Sequence, residues 1–249
     1  MKTRIYPLEG VRNFRDFGGY ASHYGGAVKP GLLFRSGHYG EASEADIGAI
    51  EALGIALQAD LRRPDEREKQ PGRWSAPNTI THDGGRETEA PHTRFLQEVE
   101  VNAEAADGWM NTYYQIAPYK AHHTEMFGDW FRQLAALDGN EAGLVNCAAG
   151  KDRTGILCAL THHVLGVSEE DIREDYELTN KAVNVSLFLP DAAKYFNDML
   201  GKHHDTEVYR PFLGVRLRYL ETAFAAMKVE SGSIDAYLTD HLGVDEVMQ

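Results

Sequence analysis

The stretch from Ala142 to Val167, AGLVNCAAGKDRTGILCALTHHVLGV, limits the possible folds more than any other part of the chain. A short apolar run leads straight into a turn of small residues, and an apolar run of helical length follows. That is the pattern of a buried strand feeding a buried helix. Both elements need cover on every side, so an α/β layer architecture is expected. The same grammar recurs upstream. GLLFRSG is a short strand candidate. ASEADIGAIEALG then reads as a helix with Ser43 as N-cap, Asp46 three residues later and Gly54 as terminator. IALQADLR follows as a second strand. Strand, helix and strand in that order predict a central, mostly parallel sheet flanked by helices.

The rest of the chain adds helices. EMFGDWFRQLAAL places Met126, Phe127, Trp130, Phe131 and Leu134 on one face, and EEDIREDYELTN starts behind Ser168. The remainder is mostly helical by pattern, with GVRLRYLETAFAAMKVESG as its clearest amphipathic segment. Between residues 80 and 125 the periodicity weakens and aromatics mix with polar residues, so a lid or insertion is expected there. No linker separates a second unit, and residues 1–249 read as one domain.

Composition narrows the functional classes. The net charge of −13 over 249 residues excludes nucleic acid as the main partner, because phosphate-backbone binding needs clustered Lys and Arg. An anionic ligand must therefore be captured by a local site. There is no signal peptide pattern, no apolar run long enough for a membrane span, and only two cysteines, Cys147 and Cys158. A cytoplasmic, reducing location is expected, with signal-independent export left open. The His122–His123, His162–His163 and His203–His204 pairs lack metal-ligand spacing, so no metal and no cofactor are expected.

The chemistry concentrates in NCAAGKDRTG. Between a strand and a helix N-terminus, Ala148, Ala149 and Gly150 let successive backbone N–H groups turn inward as an anion nest. The helix adds its own free N–H groups. Arg153 offers two parallel donors to phosphate oxygens, and Lys151 adds a second cation. Cys147 lies on the floor of this cradle, placed for in-line attack on a bound phosphoryl group. Asp152 is one carboxylate close enough for proton transfer to the leaving oxygen, with Asp83 and Asp107 in the loop-like stretch as lesser alternatives, and Thr154 is placed to hydrogen-bond the sulfur. Asn146, Asp60 and Arg15 are supporting candidates. For Asp60 an ion pair with a neighbouring arginine is an equal alternative. Trp109, Tyr113 and Tyr114 are expected mainly as packing, with cleft lining the lesser alternative, and Cys158 as a packed core thiol.

The run CAAGKDRTG resembles the Cys-x5-Arg signature of protein tyrosine phosphatases. In its extended form it is similar to a bacterial branch of tyrosine-phosphatase-like enzymes, and NFRDFGGY, LFRSG and ADLRRPDERE resemble the same branch in the same order. The resemblance implies a phosphatase-like α/β fold, Cys147 as nucleophile, Arg153 as phosphate binder and Asp152 as general acid. Lysine at position 151 occurs in similar loops that act on phosphoinositides, where it meets a second phosphate. Members of the family carry His before the cysteine, where it organises the loop and helps hold the thiolate. Asn146 departs from that. The expected function is cysteine-dependent hydrolysis of phosphate monoesters on phosphorylated proteins or small molecules. Phosphotyrosine comes first, then phosphoserine, phosphothreonine and phosphoinositides. A phosphate-binding module without turnover and a sulfurtransferase are the competing readings.

Overall fold

Five strands form one sheet in the order β1-β2-β5-β3-β4, in a computed structural model that describes residues 4–87, 91–97 and 101–245. Along the chain these are β1 (Arg15–Asp16), β2 (Leu33–Ser36), β3 (Ile55–Asp60), β4 (Asn78–Ile80) and β5 (Ala142–Asn146). Only β1, at the edge, is antiparallel to its neighbour. The expected mostly parallel α/β sheet is therefore present. β5 lies in the centre between β2 and β3, so its C-terminal end is flanked on both sides by strand ends, where open α/β sheets place their ligands.

Helix α1 (Glu44–Glu51) opens on Ser43, whose hydroxyl accepts from the Asp46 amide while Asp46 closes the capping box. It covers one face of the sheet, where Phe34, Ile50, Ile55 and Leu144 form a core. Side chains alternate along a strand. Val145 accordingly turns to the other face and joins Leu57, Ala59, Trp130, Ile156 and Leu157 in the larger core. Helix α6 (Asp152–Val164) runs through that core and is buried on nearly every side. This explains its lack of amphipathic pattern.

Helix α2 (Pro64–Lys69) follows β3, and α3 (Pro91–Leu96), α4 (Ala103–Ile116) and α5 (Ala121–Leu134) lie between β4 and β5. After α6 come α7 (Glu169–Val183), α8 (Val185–Leu200), α9 (Arg210–Leu213), α10 (Leu217–Ser231) and α11 (Ile234–Leu242). The stretch 80–125, expected to be a lid or insertion, holds α3, α4 and the start of α5; its residues 88–90 and 98–100 lie outside the described residues. Helix α4 buries Ala106, Met110 and Tyr114 in contact with α10. Among the described residues no helix is long and apolar enough to cross a membrane.

Candidate active site

β5 delivers Cys147 to the bottom of a cleft of about 1010 Å³, lined by the loop after the strand and by the walls above it. Cys147 is only 2% exposed. The next residues turn sharply at Gly150, whose φ of +67° lies in the left-handed region. A Cβ there would lie 2.3 Å from the Ser36 backbone. Only glycine meets both demands.

The turn orients the peptide groups. The Ala148 carbonyl accepts from the His38 amide, and the Gly150 carbonyl accepts from Asn13 Nδ2 at 2.7 Å and Arg35 Nη2 at 3.2 Å. With these carbonyls engaged behind the loop, the six amides from 148 to 153 find no acceptor among the described residues. Consecutive free N–H groups at a helix N-terminus form an anion site.

A buried ionic cluster braces the loop from behind. Asp175 on α7 accepts from Arg35 Nη1 at 2.8 Å and Arg15 Nε at 3.3 Å, and Arg15 also reaches the Thr179 hydroxyl and the Asn13 side chain. Asn13 itself has a φ of +59°, a conformation that asparagine tolerates better than most residues. Burial opposes ionisation of Asp175, yet the two arginines outweigh it and hold the carboxyl well below its ordinary range.

Arg153 is fixed by α2. Its Nη1 and Nη2 donate to the two carboxylate oxygens of Glu66 at 2.6 and 2.8 Å, and Nη1 also donates to the Leu61 carbonyl at 2.8 Å. No described residue accepts from Nε, and Arg153 lines the cleft. Burial works against the Glu66 carboxylate, but Arg153 and then Arg63 overcome it and hold Glu66 at about 2. The charge pair therefore persists at neutral pH.

Above the loop the walls are aromatic and basic. Trp109 and Tyr113 stack at 6.3 Å and 10°, and Phe212 from α9 packs on Trp109 at 5.7 Å. His92, beside Phe212, is pushed down to about 4 by burial and then by Lys151 and Arg63, so it is neutral at neutral pH. Lys120 lies near the Tyr113 ring, with its pKa lowered by burial.

A family model described as the tyrosine phosphatase family matches residues 6–249. The chain belongs to that family. It is 30% identical over 241 residues to a Cupriavidus necator protein named "Putative tyrosine-protein phosphatase", covering 94% of this chain and 83% of the relative. It is 29% identical over 267 residues to the triple specificity protein phosphatase PtpB of Mycobacterium tuberculosis, covering 95% and 93% respectively. A tyrosine-protein phosphatase of Nostoc commune is 27% identical over 153 residues, which is 61% of this chain and 50% of the relative. This phosphatase is thus a hydrolase of phosphate esters.

The cleft of the phosphatase brings together Cys147, Ala148, Ala149, Lys151, Asp152 and Arg153. Asp60, Asn146, Arg15 and Thr154 are absent from its lining. Asp60 instead accepts from Arg62 Nε and Nη2 at 2.9 and 2.7 Å, the ion-pair alternative. Asn146 points to the α1 side of the sheet, donating to Asp60 at 3.0 Å and accepting from Gln58 Nε2 at 2.8 Å. It touches side chains of β3 rather than the loop, because alternation along β5 sends residues 146 and 147 to opposite faces.

The Lys151 amine, which the resemblance sets toward a second phosphate, lines the cleft and donates to Asp152 Oδ1 at 2.7 Å and to the Pro211 carbonyl at 3.2 Å. One expectation is corrected. The Thr154 hydroxyl, expected on the sulfur, is buried without a hydrogen-bond partner among the described residues. An orphaned buried hydroxyl is unfavourable, and an isosteric apolar group avoids its desolvation. Thr154→Val is therefore expected to stabilise the protein by about 1 kcal/mol, read as a higher urea midpoint at unchanged slope. A lower midpoint would show that the hydroxyl does find a partner in solution.

Trp109 and Tyr113 face the cleft, whereas Tyr114 is buried beneath it. Cys158 is fully buried, and burial pushes its thiol up to about 12, in keeping with a packed core residue. Sequence reasoning missed Glu66, Asn13 and Asp175. For Glu66 a local signal exists: in RPDE, Pro64 takes the first helical position and the acid the third, marking a helix start. For Asp175 there is none, since its partners lie 140 and 160 residues away.

Proposed function

We propose that this phosphatase hydrolyses aryl phosphate monoesters, phosphotyrosine above all, through a cysteinyl-phosphate intermediate. The observation that carries the reading is the six-amide turn around Cys147, with Arg153 fixed beside it by Glu66. Phosphoryl transfer needs positioning and charge stabilisation more than any other contribution, and this loop is built for both. The amides and Arg153 hold the three non-bridging oxygens. The Cys147 thiolate attacks phosphorus, the S–P bond forms, and the P–O bond to the leaving group breaks. Asp152 gives its proton to the departing oxygen. Water then attacks phosphorus, Asp152 takes a proton from it, and the S–P bond breaks to release phosphate.

The aromatic walls favour a flat aryl group over a short alkyl chain. Cys147 lines the cleft at only 2% exposure, and a buried thiolate favours a long phenyl phosphate over a short seryl one. The mycobacterial relative is named a triple specificity protein phosphatase, so substrates beyond phosphotyrosine are worth testing beside it.

The test is rapid acid quench during turnover of an aryl phosphate in chelator-treated buffer, followed by peptide mass spectrometry. A phosphate on the peptide carrying Cys147, absent from Cys147→Ser, is expected. Tight phosphate binding with no turnover would favour a binding module, and turnover of thiosulfate would favour sulfur transfer.

A further inference from the structure

Asp152 is anchored by one oxygen only. Its Oδ1 accepts from the Tyr114 hydroxyl at 2.8 Å and from Lys151 Nζ at 2.7 Å, and no described residue donates to Oδ2. The Tyr114 oxygen accepts in turn from the Tyr176 hydroxyl at 2.7 Å. Both tyrosines are buried, and the chain of donors runs from α7 through α4 to the first residue of α6. Burial, and for each the Asp152 carboxylate, push both phenols well above their ordinary range, so they remain donors.

Gly155 makes the chain possible. A Cβ at that position would lie 2.9 Å from Tyr176 Cε2, so any larger residue would displace the Tyr176 ring. The glycine two residues after Arg153 therefore serves the tyrosine rather than the phosphate. The ring of Tyr219 stacks on Tyr114 at 5.4 Å and fixes its plane.

We propose that Tyr114 and Tyr176 are positioning residues for proton transfer: they pin Oδ1 of Asp152 so that Oδ2 carries the proton toward the leaving oxygen. This rests on the reading of Asp152 as the general acid. Two donors on Oδ1 leave Oδ2 as the oxygen that holds a proton. When that proton passes to the leaving group, the new carboxylate charge is met by donors already in place, without reorganisation. The same arrangement presents Oδ2 as the base for the attacking water. Helix α7 thus braces both ends of the loop from adjacent residues, through Asp175 and Arg35 to Gly150, and through Tyr176 and Tyr114 to Asp152.

The experiment compares kcat/KM for phenyl phosphate, whose phenoxide needs a proton, with dinitrophenyl phosphate, whose phenoxide leaves without one. Asp152→Asn is expected to lose about 10²-fold on phenyl phosphate and far less on the activated ester. Tyr114→Phe is expected to lose about tenfold on phenyl phosphate, and Tyr176→Phe about threefold, with the activated ester again much less affected. The inhibition constant of inorganic phosphate should stay within about twofold, because the cradle is untouched. The double Phe variant should match Tyr114→Phe alone, since the chain is already cut there. Equal losses on both esters, or weaker phosphate inhibition, would reduce the tyrosines to packing and overturn the proposal. If Asp152→Asn itself does not discriminate between the esters, the general-acid reading fails instead. Should Tyr114→Phe not fold, the Tyr176→Phe ratio decides alone.

Discussion

Arg153→Lys is expected to lower kcat/KM for aryl phosphates by roughly 10³, with a change in thermal stability far smaller than that loss implies. The guanidinium is held by three acceptor contacts, two to Glu66 and one to the Leu61 carbonyl, so its free Nε edge is aimed before the substrate arrives. A lysine keeps the positive charge near Glu66 but has one point of donation instead of a planar fork. It cannot satisfy Glu66 and two phosphate oxygens together. The fold should survive, because the buried carboxylate still has a cation beside it. Steady-state kinetics on an aryl phosphate, inorganic phosphate inhibition and a melting curve check all three parts. A loss below tenfold would mean that the amides alone carry the phosphoryl charge. Glu66→Gln should fall between the two proteins, since the guanidinium keeps an acceptor but loses its charge partner.

Asp175→Asn is expected to have the largest effect on stability, about 3–5 kcal/mol, or roughly 10 °C in melting temperature. Arg15 and Arg35 are both fully buried, and Asp175 is the acid that pairs with each of them. An asparagine preserves shape and one acceptor, but it leaves two guanidinium charges without their counter-charge. Activity should fall as well, because Arg35 also donates to the Gly150 carbonyl in the turn that follows Cys147.

The pH dependence of this gap follows from the direction of the Asp175 shift. The folded protein holds the carboxyl below its unfolded value of ~3.9, so the native state binds that proton less readily than the unfolded chain. The stabilisation is therefore complete above about pH 5 and is lost as the pH falls below ~4. Chemical denaturation of the two proteins should differ by a nearly constant amount from neutral pH down to about 5, and the difference should shrink in acid. A gap that widened in acid would contradict the ion-pair account.

Much of the fold was legible because its signals are local. Ser43 with Asp46 marks the start of α1, and the apolar runs around Ile55 and Ala142 mark two adjacent parallel strands. The order strand, helix, strand then leaves little choice of sheet. The turn after β5 was legible for the same reason: Cys147, the small residues and Arg153 are contiguous, so the turn that joins them is encoded locally. The walls of the cleft were not. Phe196, Phe212 and Leu213 come from α8 and α9, far along the chain, and no periodicity announces that they meet Trp109.

The same distinction separates the residues of the site. The chain alone determines that Cys147, Arg153 and Asp152 share one turn, because covalent neighbours on a strand–loop–helix unit cannot be far apart. It also puts Gly150 among the small residues of that turn, but the demand for glycine there comes from packing, since a Cβ would lie 2.3 Å from the Ser36 backbone. Only the tertiary structure decides what each functional group touches. Arg153 takes Glu66 from α2, Asp152 takes Tyr114 from α4, and Asn146 turns away toward Asp60. Lys151, which the resemblance sets toward a second phosphate, donates to Asp152 and Pro211. Hydrogen bonds between buried groups depend on which helices the core brings together, and that is a property of packing across the whole chain.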